Sequence, residues 1–159
     1  MMQETRQLPY SKEAEAYVLG CVFIDEQVVP EVAGSLSANE FYVDAHKYMM
    51  NAISSLYRSN VTVEVATVIE ELKRMNLYEQ SGGNEYMIQL MDSIPTIANV
   101  STYIQIIKER ALERELFYTL QKIESDILDG KLPFRDLIDG SENKINQIFN
   151  KRQTSPFIK

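Results

Sequence analysis

From Asn99 to Leu128 the chain keeps apolar side chains at intervals of three and four: Val100, Tyr103, Ile104, Ile107, Ala111, Leu116, Leu120, Ile123 and Ile127. So long an unbroken run at this period reads as one helix of about thirty residues. Gly130 and Pro133 mark a stop and a restart, and Leu137, Ile138, Ile145, Ile148 and Phe149 then carry the stripe of a second helix. Two long helices joined by a short loop make a helical hairpin.

The remaining sequence follows the same period, with no convincing alternating strand pattern, so the predicted fold class is all-α: a compact helical head followed by a long helical hairpin. Ser11 caps a first helix through Glu13, Ala14, Tyr17, Val18 and Cys21, in which Gly20 predicts close packing against another helix. Pro30 is tolerable in the first turn of a short helix that ends near Leu36. Ser37-Ala38-Asn39-Glu40 has the form of a capping box, so a helix is expected to start there with Phe41, Ala45, Tyr48, Met49, Ala52, Ile53 and Leu56 on its stripe. A shorter stripe, Val65 to Leu72, is broken by the turn Ser81-Gly82-Gly83-Asn84, and Met87 to Met91 form one more helix before Pro95.

Composition excludes several chemistries. One His and one Cys cannot make a zinc site, which needs about four such ligands, and Cys21 fits a reducing compartment. The chain has no P-loop, no Gly-x-Ser-x-Gly elbow and no His-Glu-x-x-His helix. A net charge of −7 is the wrong sign for gripping a phosphate backbone unaided. His46, beside the main apolar stripe, reads as a structural residue bonding a carbonyl, and Lys108, Arg110, Arg114 and Lys122, interleaved with acids, as a solvated helix face. No apolar run approaches the roughly 20 residues that cross a bilayer, and the expected location is cytoplasmic.

The hairpin holds more apolar side chains than one seam between two helices can bury, Phe117, Leu132 and Phe134 among them, so it should pair with another hairpin or a partner. The expected organisation is a flexible N-terminus over 1–10, the head over 11–112, the hairpin over 113–150 and a linker from 151 to 159. Leu120, Ile127, Leu137, Ile138, Ile145 and Phe149 are the expected oligomer interface.

Several ordered motifs are similar to a known family. Pro9-Tyr10-Ser11-Lys12-Glu13-Ala14-Glu15 with Val18-Leu19-Gly20 resembles the opening of DnaB-type replicative helicases. Phe41-Tyr42 with His46 resembles the family's Phe-Tyr-x-x-x-His segment, and Gly82-Gly83 with Tyr86 its Gly-Gly-x-x-Tyr turn. Pro95-Thr96-Ile97-Ala98-Asn99, Lys108-Glu109-Arg110-Ala111-Leu112 and Arg114-Glu115-Leu116 continue the likeness into the hairpin. Tyr10 stands where His or Gln is common, and Tyr17 where Ser or Ala is usual.

The resemblance implies the N-terminal domain of such a helicase, whose copies pair and form the collar of a hexameric ring and which docks primase and, in some systems, a loader. It implies no catalytic, metal or cofactor residues in this fragment. ATP and Mg belong to a motor domain beyond it, and DNA is met only through the full ring. Partner contacts are expected at Tyr86, Phe117 and Ile123, with Glu13 as a polar neighbour. The alternatives are a free-standing helical adaptor, such as a loader or regulator, and a small cytosolic enzyme.

Overall fold

The computed structural model describes residues 6–153, and among these every regular element is helical. Seven helices follow in order: α1 Lys12–Ile24, α2 Val29–Ser35, α3 Asp44–Arg58, α4 Val65–Arg74, α5 Gly83–Asp92, α6 Val100–Asp129 and α7 Phe134–Gln153. The all-α expectation holds, and α6 packs against α7 as a hairpin. The chain divides into two compact units, Tyr10–Lys108 and a second that joins Glu109 onward with the residues before Tyr10.

The apolar core lies in the first unit. Ser11 accepts the Ala14 N–H at 3.1 Å and starts α1, which is buried on almost every side, from Ala14 through Phe23. Gly20 is where α1 meets α5: a Cβ added there would stand 2.6 Å from both the Leu90 carbonyl oxygen and Ile94 Cγ1. Met49, Met50, Ala52 and Ile53 of α3, Val68 and Leu72 of α4, and Ile104 and Ile107 of α6 complete the cluster. Tyr17, one of the two unusual residues of the opening motif, has a defined job. Its ring stacks on Tyr103 at 4.1 Å, and its hydroxyl donates to the Thr96 carbonyl and accepts the Asn99 N–H, which fixes the entry to α6.

One element is shorter than its spacing predicts. The capping box at Ser37 forms, with the Ser37 N–H donating to Glu40 at 2.9 Å, but it closes only a 3₁₀ turn over Ala38–Glu40. Phe41 then takes an extended conformation, ψ 146°, and α3 starts at Asp44. The physical reason is competition for backbone donors: Tyr42 and Val43 give their N–H groups to the Glu15 carboxylate, at 2.8 and 3.2 Å, instead of to helix carbonyls. Phe41 still reaches the core, from an extended segment.

Candidate functional site

Two features stand out, one in each unit. In the first unit the motif residues converge on a buried polar chain. Glu15 on α1 is almost wholly buried, and its carboxylate accepts from Tyr42 N, Val43 N and His46 Nδ1, the last at 2.8 Å. The other nitrogen of the fully buried imidazole, Nε2, lies 2.6 Å from the Tyr86 hydroxyl. A carboxylate offers only acceptors, so Nδ1 carries a hydrogen toward Glu15 and Nε2 is the atom that meets Tyr86. Burial pushes the Tyr86 hydroxyl above its ordinary pKa, and the nearby Glu15 charge adds to this.

The Gly-Gly turn serves the same chain of contacts. Gly82 and Gly83 both hold positive φ, at 90° and 67°, and a Cβ on Gly82 would stand 2.7 Å from the Tyr86 Cβ. The turn therefore brings the start of α5 tightly over Tyr86, while the Tyr78 hydroxyl accepts the Asn84 N–H at 3.2 Å. His46 bonds a carboxylate and a phenol, where the sequence reading expected a backbone carbonyl. Glu15 was the member that reading missed as functional chemistry. Its one signal is a carboxylate on a helix with almost no polar face.

The second unit has the opposite character. Ten of the fourteen large apolar side chains that stand exposed among the described residues lie between Leu116 and Phe149, and Leu128 and Phe134 are more than three-quarters exposed. Among the described residues of this unit no apolar side chain is buried. Charge is divided with equal sharpness. Residues 10–108 hold six Lys and Arg against thirteen Asp and Glu, while the rest of the chain holds ten of each. The head carries the whole net charge, and the hairpin is electrically balanced and apolar on its surface.

The predicted residues fall as follows. Leu120, Ile127, Ile138 and Phe149 are exposed, each at roughly half its surface, whereas Leu137 and Ile145 are half-buried. Glu13 is exposed on α1, Phe117 is exposed and Ile123 half-buried on α6, and Tyr86 is half-buried with its hydroxyl on His46. Arg114 departs from the solvated face expected of it: it is buried, and its Nη1 donates to the Pro9 carbonyl at 2.9 Å. Arg110 does pair with an acid, Glu113, one turn on. The described part of the segment before Tyr10 has no regular structure, and α7 continues to Gln153; residues 1–5 and 154–159, which include the ends of the expected N-terminus and linker, lie outside the described residues. No group of three or more metal-ligating side chains occurs among the described residues, and none of their helices is long and apolar enough to cross a membrane.

Together these features define an all-helical domain with a motif-built head and an apolar-faced hairpin. The chain belongs to the DnaB-like helicase N terminal domain family, whose pattern matches residues 7–109. It is similar to the replicative DNA helicases DnaB of Pasteurella multocida, 30% identical over 92% of this chain, and of Geobacillus stearothermophilus, 31% identical over 94%. It spans about one third of the length of these relatives, 32% and 33% respectively. In structure it resembles the N-terminal domain of the DnaB helicase from Mycobacterium tuberculosis, with a TM-score of 0.82 and 29% identity, covering 89% of this chain and 99% of that one. A DnaB-like replicative helicase described with its interactions with primase shares the fold at a TM-score of 0.74 and 17% identity, over 92% of this chain and 36% of that one.

Proposed function

We propose that this chain is the assembly and partner-recruitment domain of a replicative DNA helicase. On this reading the outer face of the hairpin packs against a second copy, and such pairs build the collar of a hexameric ring. The observation that carries it is the density of large exposed apolar side chains on a unit without net charge, since copies can close such faces on each other without repulsion. Leu120, Ile127, Leu137, Ile138, Ile145 and Phe149 form the self-contact. Unwinding, with its ATP and Mg, belongs to the full-length protein, which meets DNA through the ring and works in the cytoplasm.

Recruitment of primase or a loader is the second part of the reading, supported by the relative of the same fold whose interactions with primase are described. Phe117 and Ile123 on α6, Tyr86 on α5 and Glu13 on α1 are the proposed contacts. Sedimentation equilibrium of the chain, and of a variant with Leu120, Ile127, Ile138 and Phe149 all changed to Ser, tests the assembly part. Self-association in the first and a monomer in the second is the expected result. A monomer in both, up to the highest soluble concentration, overturns self-assembly and leaves the apolar face to a different protein.

A further inference from the structure

The hairpin reverses the usual distribution of side chains. From Leu112 to the end of α6 the half-buried positions are Leu112, Glu115, Thr119, Ile123 and Asp126, spaced by three and four, with only two large apolar residues among them. On α7 the half-buried set includes Ser141 and Lys144 beside Leu137, Ile145 and Ile148. An apolar seam this thin holds two helices together but chooses poorly between neighbouring registers, because a slide by one turn exchanges one sparse set of contacts for another.

Among the described residues, ion pairs cross the seam at two places. Lys151 on α7 reaches Glu115 at 2.6 Å, and Lys144 on α7 reaches Asp126 at 3.2 Å. The first joins two well-exposed groups and is weak on that ground. The second differs: the Asp126 side chain is only 11% exposed and accepts a further bond from Lys122, one turn away on its own helix, at 3.0 Å. Lys122 first, and then Lys144, hold the Asp126 carboxyl below the usual carboxylate range. A slide of α7 by one turn, about 5.4 Å, would carry Lys144 away and leave that carboxylate short of a cation from across the seam. A polar group at one seam position of paired helices sets register in this way, at some cost in stability.

We infer that Asp126 is the positioning residue of the hairpin, selecting through Lys144 the single register in which the exposed apolar side chains of α6 and α7 line up as one face. This rests on the reading of that face as a docking surface, and it assigns what shapes it. Leu120 and Ile127 on one helix and Ile138 and Phe149 on the other form a continuous patch only if the two helices do not slide. Asp126 touches none of the proposed partners; it acts by fixing α7.

The test is a distance between spin labels on cysteines introduced at Gln121 and Asn146, two exposed polar positions on α6 and α7. The native Cys21 is fully buried, and burial pushes its thiol up to about 11, so it stays unlabelled. The chain with Asp126 and the conservative variant Asp126→Glu should each give one narrow distance. Asp126→Leu should give two populations separated by a shift of about one helical turn, roughly 5 Å, with helical content unchanged. A single narrow distance identical to that of the parent in Asp126→Leu overturns the inference. Should Asp126→Leu lose its helices, Lys144→Glu, altered at a half-exposed site, decides in the same way: a second population supports the inference, and an unchanged distance overturns it. Sedimentation of the same samples separates the two readings, since a parent chain that stays monomeric while Asp126→Leu shifts register sinks the self-assembly reading and keeps this one.

Discussion

His46 and Tyr86 meet with Nε2 2.6 Å from the phenol oxygen and their rings 5° from parallel, joining α3 to α5 inside the head. The hydroxyl that motif reading offers to a partner is therefore engaged inward, on a half-buried side chain. Tyr86→Phe should leave His46 Nε2 buried and unpaired, costing about 1–3 kcal/mol, while the proposed primase binding, read on the folded fraction, should be unchanged. Chemical denaturation and a binding isotherm on the same sample check both halves. Lost binding at unaltered stability would make the hydroxyl a contact.

Glu15 should be the more costly loss. It is the acceptor for two part-buried backbone N–H groups and a buried imidazole, so Glu15→Leu strands three donors at once. A loss of more than about 3 kcal/mol is expected, larger than that of Tyr86→Phe, read from the same denaturation curves. Equal costs for the two would mean that the backbone donors of Tyr42 and Val43 find water.

Gly20→Ala sets two effects against each other. Alanine improves helix propensity by about 1 kcal/mol, but the added methyl would sit 2.6 Å from a backbone carbonyl, which yields less readily than a flexible side chain. Overpacking of about 1–3 kcal/mol should win, and the melting temperature should fall. A rise would show that α5 can retreat from α1.

The hairpin should respond to acid through Asp126. Its carboxyl lies below the ordinary range when folded, so its contribution is fully present above the unfolded value near pH 4 and fades as pH falls through the folded one. Protecting α7 amides from exchange should therefore become harder below about pH 4, and the pH dependence should weaken in Asp126→Asn. An identical acid profile in that variant would place the sensitivity elsewhere.

Cys21, fully buried and with its thiol pushed up to about 11, should react with alkylating reagents at neutral pH only as fast as the head opens. Its labelling rate should then rise in parallel with the destabilisation caused by Glu15→Leu. Rapid labelling of the intact head would contradict the packing of α1 against its neighbours.

Helix periodicity made the architecture legible because each stripe is local: Val100 to Ile127 and Leu137 to Phe149 need nothing beyond their own spacing to be read as helices. What resisted reading was long-range. The box at Ser37 looked like the start of α3, and only a carboxylate distant in sequence, Glu15, takes the backbone donors that would have continued it. Arg114 lay in a run of alternating charges, and nothing local to α6 announces that its partner is the carbonyl of Pro9. Asp126 likewise looks like any surface acid until Lys144, on the other helix, is brought opposite.

The chain contains one histidine, and it stands where three helices share a single buried contact chain. Nature has thus built a spectroscopic reporter into the head. One imidazole resonance, free of overlap with any other, follows the integrity of α1, α3 and α5 together. Whatever loosens one of them, whether a substitution, a docked protein or a second copy, must register at that one signal, without a label and without assignment of the remaining spectrum.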